Sequence, residues 1–340
     1  MKRNNMKNVG LIIIALSILM LTAGCGGSQQ TSSGEQSQAD QKGAIKRITV
    51  GTAEVGGGAL YSVGSAIAKV VTDKVPNYEM MPEATGASVE NLKLIQAEQT
   101  EFGFSGSDIV YYAMNGTAPF TEKLDKINSV CYCWAVPNKL VTLKSSDIKS
   151  YSDLKGKVVQ LGGPGSGTLT YTRNILKALD LENEVKGQTL GMGEVMDSMK
   201  DGHINAFFFT GADPMAQMNE LAQTHELYIV PMTEEEIKRV CDAYSEYKPY
   251  VLKAGTYPWQ TEDVPMTTTS HQIFAGTWAS EETVYQVTKA IFENLEELGK
   301  AHPQGKNMSL DNALKDMVAP LHPGAQKYYQ EVNAPGIENF

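Results

Sequence analysis

One pattern recurs along this chain and fixes its fold class: a short β-type run, a turn of small residues, then a helix-type run. "RITVGT" leads through "AEVGGG" into "ALYSVGSAIAKVVTDKV", "YEMMPEA" through "TGAS" into "VENLKLIQAEQ", and "TEFGFSG" directly into "SDIVYYAMNG". The middle of the chain repeats the order: "KVVQL", "GGPGSGT" and "LTYTRNILKALD"; "VKGQTL", "GMG" and "EVMDSMKDG"; "INAFFFTG" and "ADPMAQMNELAQ". Strands that alternate with helices lie parallel, with the helices covering both faces of the sheet. First and third strands are similarly spaced in the two series, Val50 to Phe104 and Val159 to Phe208. The expectation is therefore two α/β units built on one plan.

The N-terminus sets the compartment. Lys2, Arg3 and Lys7 precede an apolar run over residues 9–23, which reads as a secretory signal and is short for a membrane-spanning helix. It ends in Thr22-Ala23-Gly24-Cys25, which resembles a lipobox with Cys25 as the lipidated residue; the alternative is an ordinary cleaved signal with an unrelated Cys. The polar stretch that follows has too little apolar surface to fold and reads as a tether over residues 25–44. The body is then expected outside the cytoplasm, lipid-anchored in a periplasm or on the outer face of the cell membrane.

Charge and cysteine usage exclude other classes. The net charge is −10; residues 1–24 hold three basic groups and no acid, leaving 26 basic against 39 acidic residues in the exported part. Nucleic-acid binding needs clustered Lys and Arg, so no such partner is expected. Of the four Cys, Cys131 and Cys133 lie two apart in a strand-like run and face one side. Cys-x-Cys without further ligands nearby is a poor metal signal, so buried thiols are expected and no metal. The spacing does not decide on a bridge from Cys241 to either one.

The loop "LGGPGSGTLT" raises the chemical question. Gly162 and Gly167 are spaced as in a Walker A loop and Thr168 follows, but the Lys that would neutralise the terminal phosphates is missing. What remains is a Gly-rich turn at a helix start, where free N–H groups and the helix dipole favour an anion. Each repeat presents such a turn, and in open α/β sheets ligands bind at the carboxyl ends of the strands. Two matching units with several such turns point to a cleft. Catalysis is not expected: none of His203, His225, His271, His302 and His322 sits in a strand-to-helix turn, and no H-E-x-x-H or G-x-S-x-G pattern occurs.

"GTAEVGGGALYSVGSAIAKVV", "EATGASVENLKLIQAEQTEFGFSGSDIVYYAMNG", "DLKGKVVQLGGPGSGT", "DGHINAFFFTGADPMAQMNEL" and "PLHPGAQKYYQE" resemble successive landmarks of the TAXI family. These TRAP-associated extracytoplasmic immunogenic proteins are the solute receptors of one class of tripartite ATP-independent periplasmic (TRAP) transporters. The resemblance spans residues 51–331. It implies a type II periplasmic-binding fold of two α/β lobes, a hinge and a cleft. It also implies capture of a small organic anion, such as glutamate or another carboxylate, and delivery to a cation-gradient-driven permease, with no cofactor and no enzymatic activity. A monomer is expected. A receptor of the same fold that serves an ABC importer or a sensor kinase is the alternative.

Carried onto this sequence, the fold places lobe 1 at residues 45–137 and 269–340 and lobe 2 at 138–268, with the hinge in the runs "CYCWAVPNKLVTLKSS" and "VPMTTTSHQIFAGTWAS". "EETVYQVTKAIFENLEELG" is expected as one helix and "LHPGAQKYYQEV" as a closing helix begun at His322-Pro323, with Tyr328 and Tyr329 packing. The turns offer candidate ligand-binding residues. Lobe 1 supplies Glu54, Gly57, Gly58 and Tyr61, then Thr85, Gly86 and Ser88, then Ser107 and Asp108. Lobe 2 supplies Ser166, Gly167 and Thr168, then Phe209, Thr210 and Gly211. The Ser166 and Thr168 hydroxyls with adjacent N–H groups are expected to hold a carboxylate. The body has three arginines, Arg47, Arg173 and Arg239, and Arg173 lies too far along its helix to serve as a fork. Glu54, with Asp213, is a candidate partner for a ligand ammonium, and Trp134 a candidate wall.

Overall fold

The first series of repeats forms β1 (Lys46–Gly51), α1 (Ala59–Lys74), β2 (Tyr78–Glu83), α2 (Ser88–Gln96), β3 (Phe102–Gly106) and α3 (Ser107–Asn115). A long strand, β4 (Ile127–Leu143), leads into the second: β5 (Val158–Gln160), α4 (Gly167–Ala178), β6 (Lys186–Gln188), α5 (Met192–Lys200), β7 (Ala206–Thr210) and α6 (Ala216–Leu221). There follow β8 (Leu227–Val230), α7 (Glu234–Ala243), β9 (Lys248–Leu252), a second long strand β10 (Val264–Gly276), then α8 (Glu281–Glu293), α9 (Leu295–Ala301) and α10 (Pro323–Glu331). The computed structural model describes residues 44–56 and 58–340; the signal, Cys25, nearly all of the tether and Gly57 lie outside the described residues.

The sheet order is β2-β1-β3-β10-β4-β7-β5-β6, with β8 on β4 and β9 on β10. Strands β1, β2 and β3 pair in parallel, as do β5, β6 and β7. β4 and β10 are antiparallel to each other and to the strands they border. From Ile127 to Pro137 β4 pairs with β10; from Asn138 onward it pairs with β7 and β8. Two parallel α/β series bordered by two long antiparallel strands give the type II periplasmic-binding layout, an α/β fold as the repeats require.

Local sequence explains the elements. On α1, Leu60, Val63, Ile67, Val70 and Val71 fall at helical spacing and are buried; each such side chain contributes about 1.5–3 kcal/mol. Gly64 lets this helix approach the sheet, since a Cβ there would lie 2.4 Å from Thr52 Cγ2. The helix expected over 281–299 breaks into α8 and α9 at Asn294, whose side-chain amide donates to Ala290 O at 2.8 Å; an Asn side chain competes with the backbone for its own helix bonds. α10 starts as expected: Pro323 occupies the first turn and His322 Nδ1 accepts from the Gly324 N–H at 3.1 Å. Tyr328 and Tyr329 are buried against Phe292. Cys131 and Cys133 are buried in one apolar cluster and Cys241 borders another; all three are free thiols. Among the described residues, no helix is long and apolar enough to cross a membrane.

Candidate functional site

The parallel strands of both series end on the same space. Two adjacent cavities lie there, of about 50 and about 90 Å³, room for a few waters each at about 10–15 Å³ per water. The larger is walled by residues after β1 (Ala53, Glu54), β2 (Gly86, Ala87), β5 (Gly162, Gly163) and β6 (Leu190, Met192), and at the end of β7 (Phe209, Thr210). The smaller takes in Ser88, Gly106 and Asp108 from the first series, Ser166, Gly167, Thr168 and Tyr171 from the second, and Thr269 and His271 from β10. Leu60, Ala87, Ser166, Thr168 and Thr210 border both.

The two sides touch around this space. The Val89 N–H at the start of α2 donates to Gly165 O at 3.1 Å, and Gln217 Nε2 donates to Gly56 O at 2.7 Å. Asn174 Nδ2 donates to the hydroxyls of Tyr112 and Tyr247 at 3.0 and 2.8 Å. A Cβ at Gly86 would stand 2.7 Å from Pro164 O, so the small residue there allows the turn after β2 to meet the loop after β5. Ala87 adopts φ +74 at the same place, a strained setting for a residue with a side chain.

The loop "GGPGSGT" is built from inside. Gly162 sits at φ +133, and a Cβ on it would lie 2.4 Å from Leu169 N in the first turn of α4. Gly162→Ala should therefore cost at least about 1–3 kcal/mol and displace the α4 start; an unchanged urea midpoint would contradict this account of the loop. Ser166 caps α4, accepting from Leu169 N at 3.2 Å and donating to Gly163 O at 2.7 Å. Thr168 Oγ1 exchanges bonds of 3.4 Å with both Thr210 N and Thr210 O. Both hydroxyls thus have partners within the protein, those of Thr168 at 3.4 Å. The first-turn N–H groups of Gly167 and Thr168 have no intrahelical acceptor, a setting that favours negative charge.

Of the residues expected at the site, Glu54, Gly86, Ser88, Asp108, Ser166, Gly167, Thr168, Phe209 and Thr210 are brought together. Others are not. Helical phase turns Leu60 rather than Tyr61 to the cavities, and Gly58 borders neither. The Thr85 hydroxyl serves structure, bonded to Asn91 Oδ1 at 2.7 Å. The Asn91 amide in turn pins Gly51 O, Thr52 O and Phe104 O at the ends of β1 and β3. Ser107 faces a separate, wider cavity of about 490 Å³ behind Thr269, and bonds to the Thr269 hydroxyl at 2.8 Å. Gly211 O accepts from Lys139 Nζ at 2.9 Å. Trp134 is buried in the core and walls neither cavity.

The two acids expected to meet a ligand ammonium each have a partner within the protein. Glu54 Oε1 accepts from the Met192 N–H at the start of α5, at 3.4 Å, a favourable place for a carboxylate. Asp213 Oδ2 pairs with Lys139 Nζ at 3.0 Å and its Oδ1 accepts from the Tyr257 hydroxyl. Asp108 is different: it is 2 % exposed and its Oδ2 has no hydrogen-bond partner. Burial pushes its carboxyl up to about 7 and Glu246 adds to the rise, while the Ile109 N–H and the nearby Tyr247 hydroxyl pull the other way. Tyr171 OH and His271 Nδ1 are also buried without partners at the smaller cavity. Burial lowers His271 to about 3, so it is neutral. Neither Tyr171 nor His271 was legible as a site residue, since one lies a turn into a helix and the other in a long strand.

A sequence model of the NMT1-like family matches residues 50–332. The chain is similar in structure to a putative L-cystine ABC transporter from Listeria monocytogenes at 16% identity, covering 81% of this chain and 100% of that one, with a TM-score of 0.48. It is also similar to a chain from the study of glutathione import via GshT and the cystine ABC importer TcyBC of Streptococcus mutans, at 16% identity over 77% of this chain and 94% of that one, TM-score 0.47. A third likeness is to the alkanesulfonate-binding protein SsuA from Xanthomonas axonopodis pv. citri bound to MOPS, at 12% identity over 87% and 96% of the two chains, TM-score 0.46.

Proposed function

The chain belongs to the NMT1-like family, and from that premise we propose that it is an extracytoplasmic solute receptor. It captures a small carboxylate, an amino acid such as glutamate or another organic acid, between two lobes and passes it to a membrane permease. The carrying observation is the convergence of both strand series on one space where Asp108 Oδ2, Tyr171 OH and His271 Nδ1 are buried without partners. Buried polar groups left unpaired cost about 1–3 kcal/mol each, and a bound solute is what would satisfy them. The lobes are residues 45–137 with 269–340, and 138–268. The change of β4 partners between Pro137 and Asn138 supports that division, with the hinge in β4 and β10. Lipidation of Cys25 tethers the receptor, and the permease is of the TRAP type, a reading supported by the "ATGASVENL", "GSGT" and "LHPGAQKYY" runs. The role is binding and release without catalysis.

A melting screen of the purified protein against amino acids, dicarboxylates and other organic acids tests the receptor reading. A ligand at 100 times its Kd should add about 2.7 kcal/mol of stability; a flat response across the panel would overturn the reading. The permease is tested separately by reconstituted uptake. Transport driven by a Na⁺ or proton gradient is expected, and uptake that requires ATP would replace the TRAP partner with an ABC importer.

A further inference from the structure

We propose that the cavity takes an α-amino acid and rejects carboxylates that lack an ammonium group, with Asp108 as the ammonium's counter-ion. This rests on the receptor reading and names the class of solute. Asp108 stands in the first turn of α3, lines the smaller cavity, and engages Thr269 Oγ1 through Oδ1 at 3.4 Å, while Oδ2 has no partner. Among the described residues no Lys or Arg lines either cavity. In such a place the ionised carboxylate is favoured only with a cation beside it, and no Lys or Arg at either cavity supplies one. The neighbouring acids already have partners: Glu54 Oε1 accepts from the Met192 N–H and Asp213 is paired with Lys139.

The groups that face Asp108 sharpen the sign. Glu246 adds negative charge, and the phenols of Tyr112, Tyr171 and Tyr247 are kept neutral by burial, Tyr247 lying near enough to Asp108 for its hydroxyl to ease ionisation. His271 is neutral. None of these offers a positive charge. Across the cavity the Gly167 and Thr168 N–H groups favour a carboxylate. A zwitterion whose ammonium meets α3 and whose carboxylate meets α4 satisfies both walls and bridges the two strand series. A simple carboxylate satisfies one wall and leaves Asp108 unpaired.

Wild-type protein is titrated with L-amino acids, each beside its deaminated acid: glutamate with glutarate, alanine with propionate. The amino acid that binds is expected to bind about 10³-fold or more tightly than its deaminated partner, because a site built around a polar group rejects the analogue lacking it. Binding at pH 7 is also expected to release about half a proton, as the ammonium drives a group titrating near 7 to ionise. Titrations in two buffers of different ionisation enthalpy read that release. Asp108→Asn, checked for a cooperative melt, should lose both the affinity and the proton release. Equal binding of an amino acid and its deaminated acid, or unchanged affinity in the Asn variant, would overturn the proposal. Carboxylates that bind without an ammonium would sink it and leave the receptor reading standing. No binding by either class or by any other small solute would end both.

Discussion

Lys139→Met should cost about 3–5 kcal/mol of stability, read as the loss of unfolding free energy in urea or guanidinium. Lys139 has no exposed side-chain surface, and its ammonium uses all three protons: on Pro137 O at 3.0 Å, Gly211 O at 2.9 Å and Asp213 Oδ2 at 3.0 Å. The Phe209 ring lies 5.0 Å away and adds a cation–π contact. Burial lowers its basicity and Asp213 opposes that fall. Removing the cation leaves Asp213 buried beside the Tyr257 hydroxyl with no counter-charge. The penalty arises mainly from that stranded carboxylate. The double variant Lys139→Met with Asp213→Leu should therefore recover much of the loss, because a buried pair replaced by apolar groups of similar size is often near neutral. A single variant that loses less than about 1 kcal/mol, or a double variant worse than both singles combined, would overturn this account.

The position of the pair gives it a second consequence. Lys139 follows the point where β4 leaves β10 for β7, and Asp213 lies in the turn between β7 and α6. The Asp213 carbonyl also accepts from Gln304 Nε2 at 2.6 Å. The ion pair thus fastens the partner change of β4 to the end of β7, whose Phe209 and Thr210 border the larger cavity.

The repeats were legible because each carries its own punctuation. A strand-type run, a small-residue turn and a helix-type run are local signals, and all six repeats form a strand followed by a helix in that order. The long strands β4 and β10 are legible as crossings between units, β4 also as a strand-like run around Cys131 and Cys133. They are buried on both faces, so neither shows the alternation that marks a strand. β8, α7 and β9 lie outside the six repeats. The site was legible as far as backbone goes: the turns that end the parallel strands do converge. Side chains were less so, because their tasks depend on partners far along the chain. Glu54 meets Met192, Asp213 meets Lys139, and Thr85 is taken by Asn91. A lysine in a strand looks like an exposed edge residue until its acid, 74 positions on, is in place. Asp108 is legible as a candidate, but that no Lys or Arg among the described residues lines its cavity is a property of the assembled fold.

That isolation makes a stability prediction that needs no ligand. The Asp108 carboxyl is raised from an ordinary 3.8 to about 7 in the folded protein, chiefly by burial. An acid raised on folding contributes stability fully below its unfolded value, and that contribution is lost as pH climbs toward the folded one. Between about pH 4 and pH 7 the unfolded chain ionises freely while the native carboxyl resists. At about 1.4 kcal/mol per pH unit, the unliganded protein should lose about 4 kcal/mol across that window through this one group. Asp108→Asn cannot ionise, so the difference in unfolding free energy between variant and wild type should be small near pH 4.5 and should favour the variant by up to that amount at pH 8. Subtracting one curve from the other removes the titration of groups common to both. The Ile109 N–H bond, weaker to an amide than to a carboxylate, trims the gain at high pH. A difference that stays flat from pH 4.5 to 8 would mean that the folded carboxyl ionises as freely as the unfolded one, and would remove the unpaired carboxylate. If the predicted slope appears and an amino acid abolishes it, the destabilising carboxylate and the ligand's ammonium are two halves of one ion pair, completed only when the receptor is loaded.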